Sequence, residues 1–142
     1  MTSDELKKAI RSRFPTLKKP WWGRDVIECR DKEYQTYPHH LYINANMAAW
    51  QQIKHIEYAT TFPDCDDFTD MKRGLFKLEW WKLIQAGEIP TGSAPIYASV
   101  AGYNPRGENH AYNFFLSDMG MFVSDYGAVL SPDGYQPMRM DI

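Results

Sequence analysis

The sequence predicts an α+β fold, with helices followed by an antiparallel sheet, on three observations. Apolar residues recur at helical spacing in the first half of the chain, strand-like runs replace them after Gly87, and short turn sequences separate those runs. With 142 residues, 44% of them hydrophobic, the chain is expected to form one domain with a packed core. Residues 1–60 read as a helical and irregular part, and residues 61–142 as a long helix plus antiparallel strands.

The elements follow in order. Residues 3–14 read as a helix capped by Ser3 or Asp4, with Leu6, Ile10 and Phe14 on one face. Pro15 and Pro20 break that pattern. Residues 21–45, rich in Trp, Tyr, Ile and Val, read as an extended stretch with one or two short strands, and His39-His40 as a polar loop or edge pair. Asn44 or Asn46 is expected to cap a second helix running to about residue 57. A third helix starts at Asp64, carries Asp66 and Asp67 in its first turn where the helix dipole favours them, and stops at Gly87. Its expected inner face is Phe68, Met71, Leu75, Leu78 and Lys82. Strands are expected at 96–100, 110–116, 121–126 and 135–140, joined by NPRGEN, SDMG and SPDG turns.

Charge and cysteine content narrow the partners. Lys and Arg total 16 against 18 Asp and Glu, a formal charge of −2, so the basic footprint of a nucleic-acid binder is missing. No apolar run approaches the length of a membrane span, and MTSDELKKAIRSRF lacks the apolar core of a secretory signal. Cys29 and Cys65 do not make a disulfide framework. Together these predict a reduced, cytoplasmic protein with no nucleic-acid or membrane partner.

Three residues carry candidate chemistry. Cys65 sits at a helix start, where free backbone N–H groups and the positive dipole end favour a thiolate. His110 opens the run HAYNFFLS, and Asp125 follows in MFVSDYG after one tight turn. Adjacent antiparallel strands would set these two within a short stagger of each other, so that the carboxylate could orient the imidazole. Taken singly, each has a structural explanation: a small buried thiol, a surface histidine, a turn-opening aspartate. The ordered set is what points to a nucleophile, a base and an orienter.

PDCDDFTDMKRGLF followed by ENHAYNFFLSDMGMFVSDYGAV resembles the papain-like/transglutaminase-like cysteine superfamily, in particular the bacterial transglutaminase-like cysteine peptidases and the papain-like C-terminal domain of fungal agglutinins. Cys65, His110 and Asp125 match that family's three positions in order, over roughly residues 60–130. The resemblance implies a thiol-protease or amide-transferase activity on a peptide or protein substrate. The near-upstream oxyanion glutamine of papain-type enzymes is missing; Gln51, Gln52, Tyr58 and Thr60 are the candidate replacements. A catalytically silent binding module, an inhibitor or adaptor, is the alternative.

Two further groups remain. Asp64, Asp66, Asp67 and Asp70 offer hard oxygen ligands for calcium, but without EF-hand spacing they read first as helix N-terminal charge, so no cofactor is required. Cys29 or Cys65 with His39, His40 or His55 lacks zinc spacing. Trp21 and Trp22 read first as core and second as an aromatic wall for a peptide or glycan, whereas adjacent Trp80 and Trp81 should divide between core and surface.

Overall fold

A computed structural model describes all of residues 1–142. Three helices, α1 (Ser3–Arg13), α2 (His39–Ile53) and α3 (Cys65–Gln85), accompany seven strands: β1 (Ile27–Glu28), β2 (Tyr34–Gln35), β3 (Ala94–Tyr103), β4 (Asn109–Ser117), β5 (Gly120–Asp125), β6 (Ala128–Leu130) and β7 (Gln136–Asp141). The α+β class is as expected. The sheet runs β1-β7-β3-β4-β5-β6, with β2 paired to β3. The long pairings are antiparallel, and only the two-residue strands β1 and β2 pair in parallel, with β7 and β3.

The sheet separates two apolar clusters. Leu6, Ile10 and Phe14 of α1 pack on Ala98, Val100, Tyr112, Phe114 and Val123. Tyr42 and Ala49 of α2 and Phe76 and Trp80 of α3 pack on the opposite face, against Tyr97 and Phe115. Phe114 and Phe115 are neighbours on β4 and point to opposite faces, as the two-residue period of a strand requires. A helix layer on each side therefore buries β4 almost throughout.

Several local expectations are corrected. Thr2, not Ser3 or Asp4, caps α1: its hydroxyl accepts from Glu5 N–H while the Glu5 carboxylate accepts from Thr2 N–H. α2 starts five residues before Asn44, so His39 and His40 form its first turn, and it ends at Ile53. No residue of α2's own first turn caps it. The Asp118 carboxylate, on the β4–β5 turn, accepts from His39 N–H at 2.9 Å, a cap supplied by tertiary structure. Asn46 is fully buried in mid-helix. On α3 the buried residues are Phe68, Thr69, Lys72, Phe76 and Trp80, whereas Leu78 is exposed. Trp80 is buried and Trp81 is 54% exposed, the division that adjacent helical positions predict. No helix is long and apolar enough to cross a membrane.

Candidate functional site

α3 begins at Cys65, directly after Asp64, and the Asp67 carboxylate accepts from Asp64 N–H at 3.1 Å. The acidic block around the thiol is thus accounted for by the helix start itself. Cys65's carbonyl accepts from Thr69 Oγ1 at 2.7 Å. Its side chain lines a cavity of about 10 Å³ with Trp50, Phe68, Thr69, Lys72, Asn113, Asp125 and Tyr126.

His110 and Asp125 meet. β4 and β5 pair from Asn113↔Ser124 to Ser117↔Gly120, and just beyond that ladder His110 Nε2 lies 2.8 Å from Asp125 Oδ1. The other carboxylate oxygen accepts from Tyr135 OH at 3.0 Å. Burial works against the charged Asp125, but the bonds from His110 and Tyr135 and the nearby charges of His110 and Lys72 outweigh it, holding the carboxyl below its ordinary range. An ionised carboxylate only accepts, so Nε2 carries the proton of this bond and Nδ1 is left as the second ring nitrogen. Burial, with the Asp125 charge and hydrogen bond behind it, raises the Tyr135 phenol to about 12.

The site also holds residues that carry no signal of a functional motif in the sequence. Lys72 is 2% exposed and donates to Tyr126 O (2.6 Å), Ser124 Oγ (2.8 Å) and Ser124 O (3.4 Å). Burial pulls its ammonium down to about 7, against the pull of Asp125. Ser124 Oγ in turn donates to Asn46 Oδ1 at 2.8 Å, which also accepts from Tyr97 OH at 2.6 Å. Only the spacing of Lys72 hints at its burial: it falls four residues after Phe68 and four before Phe76, on the stripe that ends at Trp80.

The remaining candidates lie elsewhere. Gln52 donates to Ala48 O and Glu79 Oε1, and Gln51 donates to Met47 Sδ. Both glutamines are exposed, and their neighbour Trp50 lines the thiol cavity instead. Neither glutamine lines that cavity. Trp21 and Trp22 are 94% and 67% exposed, which overturns the core reading. Asp64, Asp66 and Asp67 bring one oxygen each to within 4.8 Å of one another, without Asp70. Hydrogen bonding with Asp66, then burial and Asp67, pushes the Asp64 carboxyl up to about 6. Three clustered carboxylate oxygens fit a hard cation in kind, and Asp64 Oδ1 is buried without a hydrogen-bond partner. Helix-start charge explains the cluster equally.

Three larger clefts flank α3. One of about 320 Å³ lies against α2, with His40, Asn44, Glu79 and Leu83 on its walls. Another, of about 280 Å³, is lined by Asp31, Phe76, Lys77, Trp80, Trp81 and Pro95 among others. The third, of about 200 Å³, lies between the first turns of α3 and strands β3 and β7, with Asp66, Asp70, Ser99, Arg139 and Asp141 on its walls.

No family model matches the chain, and no curated protein matches it. Solved structures do. One is described as the "PSL1a-E64 complex", with a TM-score of 0.68 and 16% identity, matched over 100% of this chain and 51% of that one. Another is the Polyporus squamosus lectin bound to the human-type influenza-binding epitope Neu5Aca2-6Galb1-4GlcNAc, with a TM-score of 0.66 and 15% identity over 100% and 49% of the two chains. The chain shares its fold with half of that lectin. It spans about half the length of the structures it matches.

These matches correct the expected kinship and activity. The two structures just named are of lectin chains, and no family model or curated protein ties this chain to a cysteine peptidase. The reading as a papain-like/transglutaminase-like cysteine hydrolase or acyl transferase is withdrawn, and with it the thiol-protease and catalytic-triad labels. Beside the half-buried Cys65 the cavity is about 10 Å³, room for about one water. The motif residues Asp64, Asp66, Asp67 and Phe68 are explained by helix initiation and packing.

Proposed function

We propose that the chain is a carbohydrate-binding module whose ligand lies in the cleft beside Trp81. The half-exposed Trp81 indole over that cleft carries the reading. A pyranose presents one face of C–H bonds and a rim of hydroxyls, so it matches an aromatic wall bordered by polar groups. Lys77 and Asp31 supply that border, and Lys77 takes part in none of the chain's ion pairs. Its cation suits an acidic sugar, the kind of epitope named for the solved lectin. The ligand class is thus a glycan, in place of a peptide or protein substrate, a nucleic acid or a membrane. We place the 142-residue unit in a reducing, cytoplasmic compartment, a reading that its two free thiols support.

Glycan-array and calorimetric binding should detect an oligosaccharide ligand. Trp81→Ala should weaken it at least about tenfold, roughly 1.4 kcal/mol, and Lys77→Met should reduce any preference for sialylated over neutral glycans. Trp21→Ala and Trp22→Ala serve as controls on an exposed aromatic pair outside the cleft. Binding that survives Trp81→Ala but fails in the Trp21 or Trp22 variant would move the site. Absence of any glycan ligand would end the reading.

A second reading is favoured by the 2.8 Å contact of His110 with Asp125. Cys65, His110 and Asp125 would then form a thiol–imidazole–carboxylate set that makes Cys65 a reactive thiol. In a Cys29→Ser background, iodoacetamide should label Cys65 at least about tenfold faster than in the His110→Ala variant. Equal rates would make Cys65 an ordinary thiol.

A further inference from the structure

We infer that Lys72 is a positioning residue for the His110–Asp125 pair, holding the end of β5 so that the Asp125 carboxylate faces the imidazole. The residues on either side of Asp125 are tied to one ammonium: Ser124 through its hydroxyl and carbonyl, Tyr126 through its carbonyl. Tyr126 has φ +52°, a left-handed conformation that a bulky residue adopts only when its surroundings impose it. The 2.6 Å bond from Lys72 to its carbonyl is one such constraint. The next residue, Gly127, lets Trp50 close over the same turn, since a Cβ there would stand 2.5 Å from Trp50 Nε1.

The Lys72 tie extends into the core. Ser124 passes it on to Asn46 of α2 and through Asn46 to Tyr97 of β3. α3, α2 and the sheet are thereby joined at the one point where β5 leaves its ladder. Without that joint, Asp125 would be held by its pairing with Ala128 of β6 and by its two side-chain partners, His110 and Tyr135, none of which ties the end of β5 to a helix.

This inference rests on His110 and Asp125 acting as a unit and not on any reactivity of Cys65, so failure of the alkylation test leaves it standing. The readout is the imidazole Nε2–H resonance of His110 in isotope-labelled protein. Hydrogen-bonded to a carboxylate, that proton should be visible and slow to exchange in the wild type. In Lys72→Met the proton should exchange at least about tenfold faster or broaden beyond detection, while the rest of the spectrum remains that of the folded chain. Ser124→Ala removes less volume and keeps the ammonium, so it answers the question even where Lys72→Met fails to fold; it should show the same loss to a smaller extent. An unchanged Nε2–H signal in either folded variant overturns the inference, because a merely space-filling lysine would leave that proton where it is.

Discussion

Phe76→Ala should destabilise the fold by about 3–5 kcal/mol, measured as a shift of the urea unfolding midpoint at unchanged slope. Phe76 is fully buried and lies at the centre of the aromatic cluster between α3 and the sheet. Its ring stacks on Tyr97 at 3.9 Å between centroids, and Trp80 and Tyr42 follow at 5.4 and 5.9 Å. Rigid rings do not close around a missing neighbour as aliphatic chains can, so the upper part of that range is expected. The same side chain lines the cleft beside Trp81. The variant should therefore also weaken glycan binding, even though Phe76 itself carries no polar recognition group. A loss below about 1 kcal/mol would show that Tyr97 and Trp80 refill the space, and that the cluster is less tightly set than its stacking implies.

What the sequence reveals here divides by the range of the interactions. α1 and the start of α3 are legible because their signals are local: the Leu6–Ile10–Phe14 stripe, and an aspartate just before a thiol with two more acids in the first turn. The β3–β4–β5 hairpins are legible from their turn residues. α2 is misplaced because Asp118, nearly eighty residues away, caps it. The inner face of α3 begins correctly at Phe68 and then drifts, because the expected stripe alternates three- and four-residue steps while the buried one advances by fours from Phe68 through Lys72 and Phe76 to Trp80. A lysine on that stripe reads as polar by type, and only the acceptors on β5 and its turn explain its burial. The order of the sheet is also non-local: β7 returns to the far side of β3, which no turn sequence encodes. The His110–Asp125 contact is readable from hairpin arithmetic. The activity inferred from it is not, because three residues in the right order do not specify the space around them.

Gly102→Ala should be the most disruptive of the small-residue changes, at about 3 kcal/mol or more. At Gly102 the pairing of β3 with β7 shifts register, and the residue stands opposite His110 on one side and Pro137 on the other. A Cβ built there would lie 2.3 Å from Gln136 O and 2.9 Å from the Pro137 Cα. Those are backbone atoms of a paired strand, so relief requires moving β7 rather than turning a side chain. Gly74 makes the opposite control. It is exposed in mid-α3, and an added methyl group there would meet nothing within 4 Å, so Gly74→Ala should stabilise by about 0.5–1 kcal/mol through helix propensity. The consequence for the site follows from chain order. Tyr135, whose hydroxyl donates to Asp125, immediately precedes Gln136, so displacing β7 at Gly102 should draw the phenol off the carboxylate. In Gly102→Ala the Asp125 carboxyl should then titrate closer to its ordinary value, in a carbon-detected titration of the side chain, than it does in wild type or Gly74→Ala. If Gly102→Ala is destabilised but Asp125 titrates as before, the His110 bond and the nearby Lys72 charge alone hold the carboxylate ionised, and Tyr135 serves only to cover it.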